Sequence, residues 1–229
     1  LGATPISVPT ICIAPLADLT ALDAALQALA RYDWLIVTSA NAVAIVGERW
    51  RALGLTPKDW GHLRIAAVGP ATTDALHTYG LTPTFVPERF EGDEIATGLQ
   101  AQVGELRGLR ILLPQAAIAR QQLAEALTQQ GAVVDVIPIY QTLPAPLAAT
   151  ALCELQEGVD AITFTSGSTV RNFMQGLAAS NLPPALVQNA AIACIGPQTA
   201  AAVQALGLPA ALVAAEATVG GLVDTLVAH

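Results

Sequence analysis
The sequence predicts an α/β protein built from two similar parallel-sheet units, and three observations carry that reading. Short apolar runs alternate with stretches of helical pattern along the chain, which is the signature of βαβ organisation. Runs such as Leu35-Ile36-Val37 and Ile192-Ala193-Cys194-Ile195 are apolar at every position, as strands are when helices cover both faces of a sheet. The same blocks recur later in the chain, in the same order.

The first run predicts a strand over 3–12, followed by a helix over 18–30. A strand over 34–38 ends in Thr38-Ser39, small hydroxyl residues able to cap the helix predicted over 42–52. A strand over 64–68 runs into Gly69-Pro70. Proline suits a first helical position, where its missing amide would have no partner, so a helix follows over 71–79. Next come a short strand over 84–86, a helix over 93–102, a strand over 110–113, a helix over 117–130 and an extended run over 132–142. That run gives way to Leu143-Pro144-Ala145-Pro146. Beyond it lie a helix over 146–156, a strand over 160–165 ending in Thr165-Ser166, and a helix over 168–179. A strand over 191–195 runs into Gly196-Pro197, and a helix over 198–206, a strand over 210–214 and a helix over 219–228 complete the order.

The repeat is explicit. Residues 32–39 match 159–166 at an offset of 127, and Val68-Gly69-Pro70-Ala71-Thr72 matches Ile195-Gly196-Pro197-Gln198-Thr199 at the same offset, as Gly80-Leu81 matches Gly207-Leu208. With two more residues of shift, Gly2-Ala3 and Pro9 match Gly131-Ala132 and Pro138. Blocks in fixed order at near-constant spacing mean a duplicated unit. The expected layout is a connector strand over 1–13, an α/β domain over 14–137, a second connector strand over 138–144 and an α/β domain over 145–229. The symmetry also predicts a gap: the strand over 110–113 and helix over 117–130 precede Gly131, and no counterpart precedes Gly2. The first strand and helix of the second domain are therefore expected to be missing from the N-terminus.

Composition excludes several functions. With 10 basic against 18 acidic residues and a net charge of −8, the chain lacks the basic patches that nucleic acid or an anionic membrane requires. Its uncharged stretch over 172–215 is cut repeatedly by glycine and proline, so no run reaches the ~20 apolar residues of a membrane span. Cys12, Cys153 and Cys194 are too few and scattered for a disulfide framework or zinc site, and are expected as buried small hydrophobes in a reducing compartment. His62, His77 and His229 have no metal-ligand spacing and are expected at the surface. No dinucleotide fingerprint, Walker loop or nucleophile elbow is present.

The candidate chemistry lies where strands end. Thr38, Ser39 and Thr165, Ser166 stand at the carboxyl ends of strands, the edge at which open α/β sheets bind ligands. Gly69 and Gly196 precede prolines that open helices, and the exposed amides of such a helix start can hold a carboxylate or phosphate without a basic side chain. Thr72 and Thr199 fall in the first turns of those helices, and Ser168 and Arg171 in the first turn and a half after Ser166. Tyr140, in the extended run between the units, is expected to face a cleft.

The ordered set of 33–41, 67–72, Pro138-Ile139-Tyr140-Gln141-Thr142, 164–170 and 194–200 resembles the uroporphyrinogen-III synthase family from residue 1 to about 228. The resemblance implies two flavodoxin-like domains joined by a two-stranded connector, with the active site in the cleft between them. It implies a cytoplasmic, monomeric, cofactor-free lyase of tetrapyrrole synthesis. Such an enzyme closes hydroxymethylbilane to uroporphyrinogen III with inversion of ring D and loss of water, and makes transient contact with hydroxymethylbilane synthase. Carried over by motif, Tyr140 assists departure of the hydroxyl, while Thr38, Ser39, Thr72, Ser166, Ser168 and Thr199 line the cleft and bind carboxylates with nearby backbone amides. Gly69 and Gly196, from the turns, and Arg171, as the cationic contact, complete the expected substrate-binding set, and no metal is implied. Two departures stand out. Pro114-Gln115 lacks the Arg and Gly that many relatives place there, and Ala44 stands where an Arg is common, although its repeat counterpart is Arg171. Readings of another class are a two-lobed small-anion solute-binding module and a Rossmann-like sugar or nucleotide transferase.

Overall fold
The strand and helix signals become two sheets, one mostly parallel and one parallel throughout. In the computed structural model, which describes residues 2–56, 60–87, 92–119 and 121–229, the chain divides into two units. One is Ile13–Thr142; the other combines Leu1–Cys12 with Leu143–His229.

The five-stranded sheet of the first of these is formed by β1 (Ile11–Pro15), β2 (Trp34–Val37), β3 (Arg64–Ala67), β4 (Arg110–Ala116) and β5 (Val133–Pro144), side by side in the order β1-β5-β4-β2-β3, with Ile11–Cys12 of β1 and Leu143–Pro144 of β5 counted in the other unit. The pairs β2–β3, β2–β4 and β4–β5 are parallel. Along the connector, Leu16 N–H donates to Ile139 O and Ala145 N–H to Thr10 O, both at 3.0 Å, so β1 runs antiparallel to β5. Successive strand residues face opposite sides of a sheet, and the core divides accordingly. Leu35, Val37 and Leu112 pack with residues of α1 (Thr20–Gln27), α2 (Ala40–Ala52) and α3 (Pro70–Thr78). Trp34, Ile36, Ile111 and Leu113 pack with α4 (Gly92–Val103) and α5 (Gln122–Gln129).

One irregularity in this sheet positions Tyr140. Gln115 stands opposite Pro138 but Ala116 stands opposite Tyr140, leaving Ile139 as an extra residue. Such a bulge breaks the period-two alternation. As a result Ile137, Ile139 and Tyr140 all join the same core cluster, the one built with α1, α2 and α3.

The other unit carries β6 (Ala161–Phe164), β7 (Ala191–Cys194) and β8 (Leu212–Val213), parallel and in that order, with α6 (Ala149–Gln156), α7 (Gly167–Ala179), α8 (Pro197–Ala205) and α9 (Val219–Val227). Phe164 meets Phe173 edge to face at 5.7 Å between ring centroids, and Val8 packs against the same core. Among the described residues β6 has β7 as its one neighbour. Ala161 and Thr163 are exposed, whereas all of Trp34–Val37, between β4 and β3, is buried.

Several expectations are corrected. The strand over 3–12 forms only from Ile11, because Pro5 and Pro9 remove ladder donors and residues 2–10 take no regular structure. The run over 84–86 contributes a single bridge, Ala66 with Phe85. The helix over 117–130 begins at Gln122, after a turn at 117–118; Arg120 lies outside the described residues. The extended run over 132–142 forms as one strand and reaches Pro144. Cys12 and Cys153 are exposed; only Cys194 is buried, and burial pushes its thiol pKa up.

Candidate active site
Within Ile13–Thr142 the structure gathers Thr38, Ser39, Gly69, Thr72 and Tyr140 at or near the carboxyl ends of β2, β3 and β5. Ser39 is the extended N-cap of α2, and its Oγ accepts from Ala42 N–H at 3.1 Å. The same Oγ lies 3.0 Å from Tyr140 Oη. Tyr140 does not stand open as expected of a connector residue. It is 8% exposed, its ring packed among Ile137, Ile139 and the α1–α3 side chains, with the hydroxyl reaching Ser39. The bulge explains this placement, by turning the side chain at position 140 onto the face where α2 starts.

Gly69 has φ 84°, a left-handed conformation that favours glycine, and Pro70 follows at the start of α3. Thr72 is 3% exposed and its hydroxyl donates to Val68 O at 2.8 Å. Its hydrogen is thus committed to the backbone behind it, and what α3 offers an anion is its first-turn amides. Thr38 is half-buried.

The second set, Ser166, Ser168, Arg171, Gly196 and Thr199, falls in Leu143–His229. Ser166 caps α7 in a reciprocal box with Thr169: Ser166 Oγ accepts from Thr169 N–H at 3.2 Å, and Thr169 Oγ1 accepts from Ser166 N–H at 3.2 Å. Ser166 Oγ also lies 2.9 Å from Ser168 Oγ. Arg171 is exposed, with its guanidinium folded towards Gly167, and it makes no ion pair among the described residues. Gly196 differs from its repeat counterpart. It is extended at φ −171°, and a β-carbon there would meet nothing within 4 Å, so the fold does not demand glycine at this position. Thr199 is 4% exposed and, unlike Thr72, its hydroxyl makes no hydrogen bond among the described residues. The repeat alignment pairs Tyr140 with Ile11. Only one unit carries a phenol at this position.

Two features escaped the sequence. Gln115, at the carboxyl end of β4, is a polar side chain only 5% exposed; a polar residue ending an apolar run was its one signal. A cavity of ≈280 Å³ lined by Ile13, Pro15, Asn41, Ala44, Ile45 and Glu48 flanks α2 in the turns after Ser39. A larger one, ≈380 Å³, lies instead between α1 and the opening half of β5. There Tyr32 donates to Asp135 Oδ2 at 2.7 Å, and burial together with that carboxylate pushes its phenol up to about 12. That pair ties the segment leading into β2 to the opening half of β5 and lies away from the carboxyl edge. No group of three His, Cys, Asp or Glu side chains among the described residues is placed to hold a metal. No helix among them is long and apolar enough to cross a membrane.

Comparison with known proteins decides between the readings. The family model of uroporphyrinogen-III synthase HemD matches residues 1–224. The chain is 37% identical to the uroporphyrinogen-III synthase of Synechococcus elongatus, covering 96% of this chain and 84% of that one. It is 29% identical to the porphyrin biosynthesis protein HemD of Ruminiclostridium josui, covering 99% of this chain but 44% of the longer protein. In structure it is similar to uroporphyrinogen-III synthetase from Helicobacter pylori, with a TM-score of 0.57 at 20% identity over 95% of this chain and 89% of that one. A mutant uroporphyrinogen III synthase from Thermus thermophilus gives a TM-score of 0.54 at 22% identity, over 96% of this chain and 85% of that one. These two show a shared fold. With the family matched along nearly the whole length, the solute-binding and nucleotide-transfer readings fall away, and the chain belongs to the uroporphyrinogen-III synthase HemD family.

Proposed function
We propose that this chain closes hydroxymethylbilane to uroporphyrinogen III, with inversion of ring D and release of water. The observation that carries the proposal is the Tyr140 hydroxyl, held 3.0 Å from the N-cap of α2 at the carboxyl edge of a parallel sheet, in a chain of this family. Breaking the hydroxymethyl C–O bond requires a proton on the leaving oxygen. A phenol O–H within reach of that oxygen can supply it. The pyrrole delocalises the resulting cation, so one positioned donor suffices to speed a step the substrate already favours. The substituted α-carbon of ring D then attacks that cation to give a spiro intermediate. The bond from this carbon to its original bridging methylene breaks, the methylene rejoins ring D at its free α-carbon, and loss of the proton from that carbon restores the aromatic ring.

The bilane's eight carboxylates must be held by a chain of net charge −8 with few cations. Helix-start amides serve this purpose, because they carry partial positive charge without a titrating group. We assign Thr38, Ser39, Gly69 and Thr72 to one such edge and Ser166, Ser168, Arg171, Gly196 and Thr199 to the other. The free hydroxyl of Thr199 and the committed one of Thr72 give different expectations. Thr199→Ala raises KM by about five- to thirty-fold, the loss of a hydrogen bond to a charged group worth about 1 to 2 kcal/mol. Thr72→Ala leaves KM within about twofold, and its cost appears in the melting temperature. Steady-state kinetics on both variants check this; equal KM values for the two would remove the distinction. The reading carries with it a cytoplasmic, monomeric enzyme that uses neither metal nor organic cofactor and meets hydroxymethylbilane synthase transiently. Separation of the porphyrin isomers formed from fresh hydroxymethylbilane tests the activity itself.

A further inference from the structure
The geometry points to Ser39 as a positioning residue: it donates its hydroxyl hydrogen to Tyr140 Oη and thereby frees the phenol proton for the substrate. This inference rests on the activity proposed above and deepens it, because it assigns Ser39 a task other than holding a carboxylate. Three placements converge on it. The bulge at Ile139 turns Tyr140 onto the α2 side of the sheet. The N-cap places Ser39 Oγ 3.0 Å from Tyr140 Oη. The Ala42 amide, 3.1 Å away, already donates to Ser39 Oγ.

The direction of the Ser39–Tyr140 bond follows from what each group can offer. A serine hydroxyl has one hydrogen and two acceptor sites, and so has the phenol. One acceptor site of Ser39 is taken by a backbone N–H that cannot turn away, and its own hydrogen has no other partner among the described residues, which leaves it free to be directed at the phenol. Aimed at Tyr140 Oη, that hydrogen polarises the phenol and leaves the phenolic hydrogen pointing elsewhere. The opposite direction would consume the proton that the leaving hydroxyl needs. The phenol is 8% exposed, so little bulk water is at hand to compete for this bond. The equivalent cap in the other unit, Ser166, faces Ser168 rather than a phenol, so the arrangement is not a by-product of helix capping.

The test exploits the fact that aspartate caps a helix about as well as serine but, when ionised, only accepts hydrogen bonds. Ser39→Asp is expected to keep the melting temperature while lowering kcat about ten- to a hundred-fold, the same loss as Tyr140→Phe. The double variant should be no slower than either single one, because both remove one function. Ser39→Thr, which keeps the hydroxyl, is expected to retain kcat within about twofold. A Ser39→Asp enzyme with wild-type kcat overturns the proposal, and so does a double variant whose losses multiply, since a carboxylate-holding serine would act independently of Tyr140 and chiefly through KM. The wild-type control separates the two levels. Type III isomer from the wild type with a fully active Ser39→Asp variant rejects the hydrogen-bond direction alone, whereas type I isomer alone from the wild type rejects the activity and this inference with it.

Discussion

Tyr140→Phe is expected to lose about ten- to a hundred-fold in turnover while still giving the type III isomer. The ring is buried among apolar side chains and the substitution keeps it, so the core of the Ile13–Thr142 unit should be unchanged. What is removed is one hydroxyl, whose only partner among the described side chains is Ser39. General acid catalysis contributes typically 10²- to 10⁴-fold. The lower end applies here because the pyrrole nitrogen already drives departure of the hydroxyl. The isomer outcome should survive, since inversion of ring D depends on how the cation is held rather than on how it was formed. A fall in kcat at unchanged KM would place the lost interaction in the transition state. Wild-type turnover would reduce Tyr140 to a packing residue and leave backbone amides as the main apparatus.

The second large effect concerns stability. Trp34 is 0% exposed on β2, flanked by β4 and β3, and packs with Ile36, Ile111, Leu113, Ile95 and Leu99, with the Arg64 guanidinium 5.6 Å from its ring centroid. Trp34→Ala is expected to cost about 3 to 5 kcal/mol, a large share of the roughly 5 to 15 kcal/mol that holds a domain folded. Its indole nitrogen is buried without a hydrogen-bond partner among the described residues. Trp34→Phe should therefore cost much less, since it keeps most of the ring and removes an unpaired N–H. At the repeat-equivalent position, Ala161 is exposed on β6, and Ala161→Ser should stay within about 0.5 kcal/mol. Urea denaturation of the three variants checks this, and similar midpoint shifts at positions 34 and 161 would contradict the packing described.

That contrast also shows what could be read from sequence. Asp33-Trp34-Leu35-Ile36-Val37-Thr38-Ser39 and its later copy predict the same strand-to-cap turn, and both form, with Ser39 and Ser166 capping α2 and α7. Ala161 and Thr163 in place of Trp34 and Ile36 mark the later strand as less buried, but strand neighbours are a tertiary property, and which strands flank either run cannot be read from it. Gly69-Pro70 and Gly196-Pro197 both open helices as their residue types require, yet only Gly69 takes positive φ. The bulge was hidden for a different reason. Pro138-Ile139-Tyr140 reads as a regular alternating strand, and the shift arises only when β5 is laid against β4. Hence Tyr140 could be singled out from sequence while its burial and its bond to Ser39 could not.

The central claim is the conversion of hydroxymethylbilane to one particular ring isomer. The direct measurement is to incubate the purified protein with freshly prepared hydroxymethylbilane, oxidise the products and resolve the porphyrin isomers, beside a protein-free control. Uroporphyrin III in excess over the type I isomer that spontaneous closure gives, at a rate unaffected by chelator, is the predicted result; type I alone, indistinguishable from the control, would contradict it.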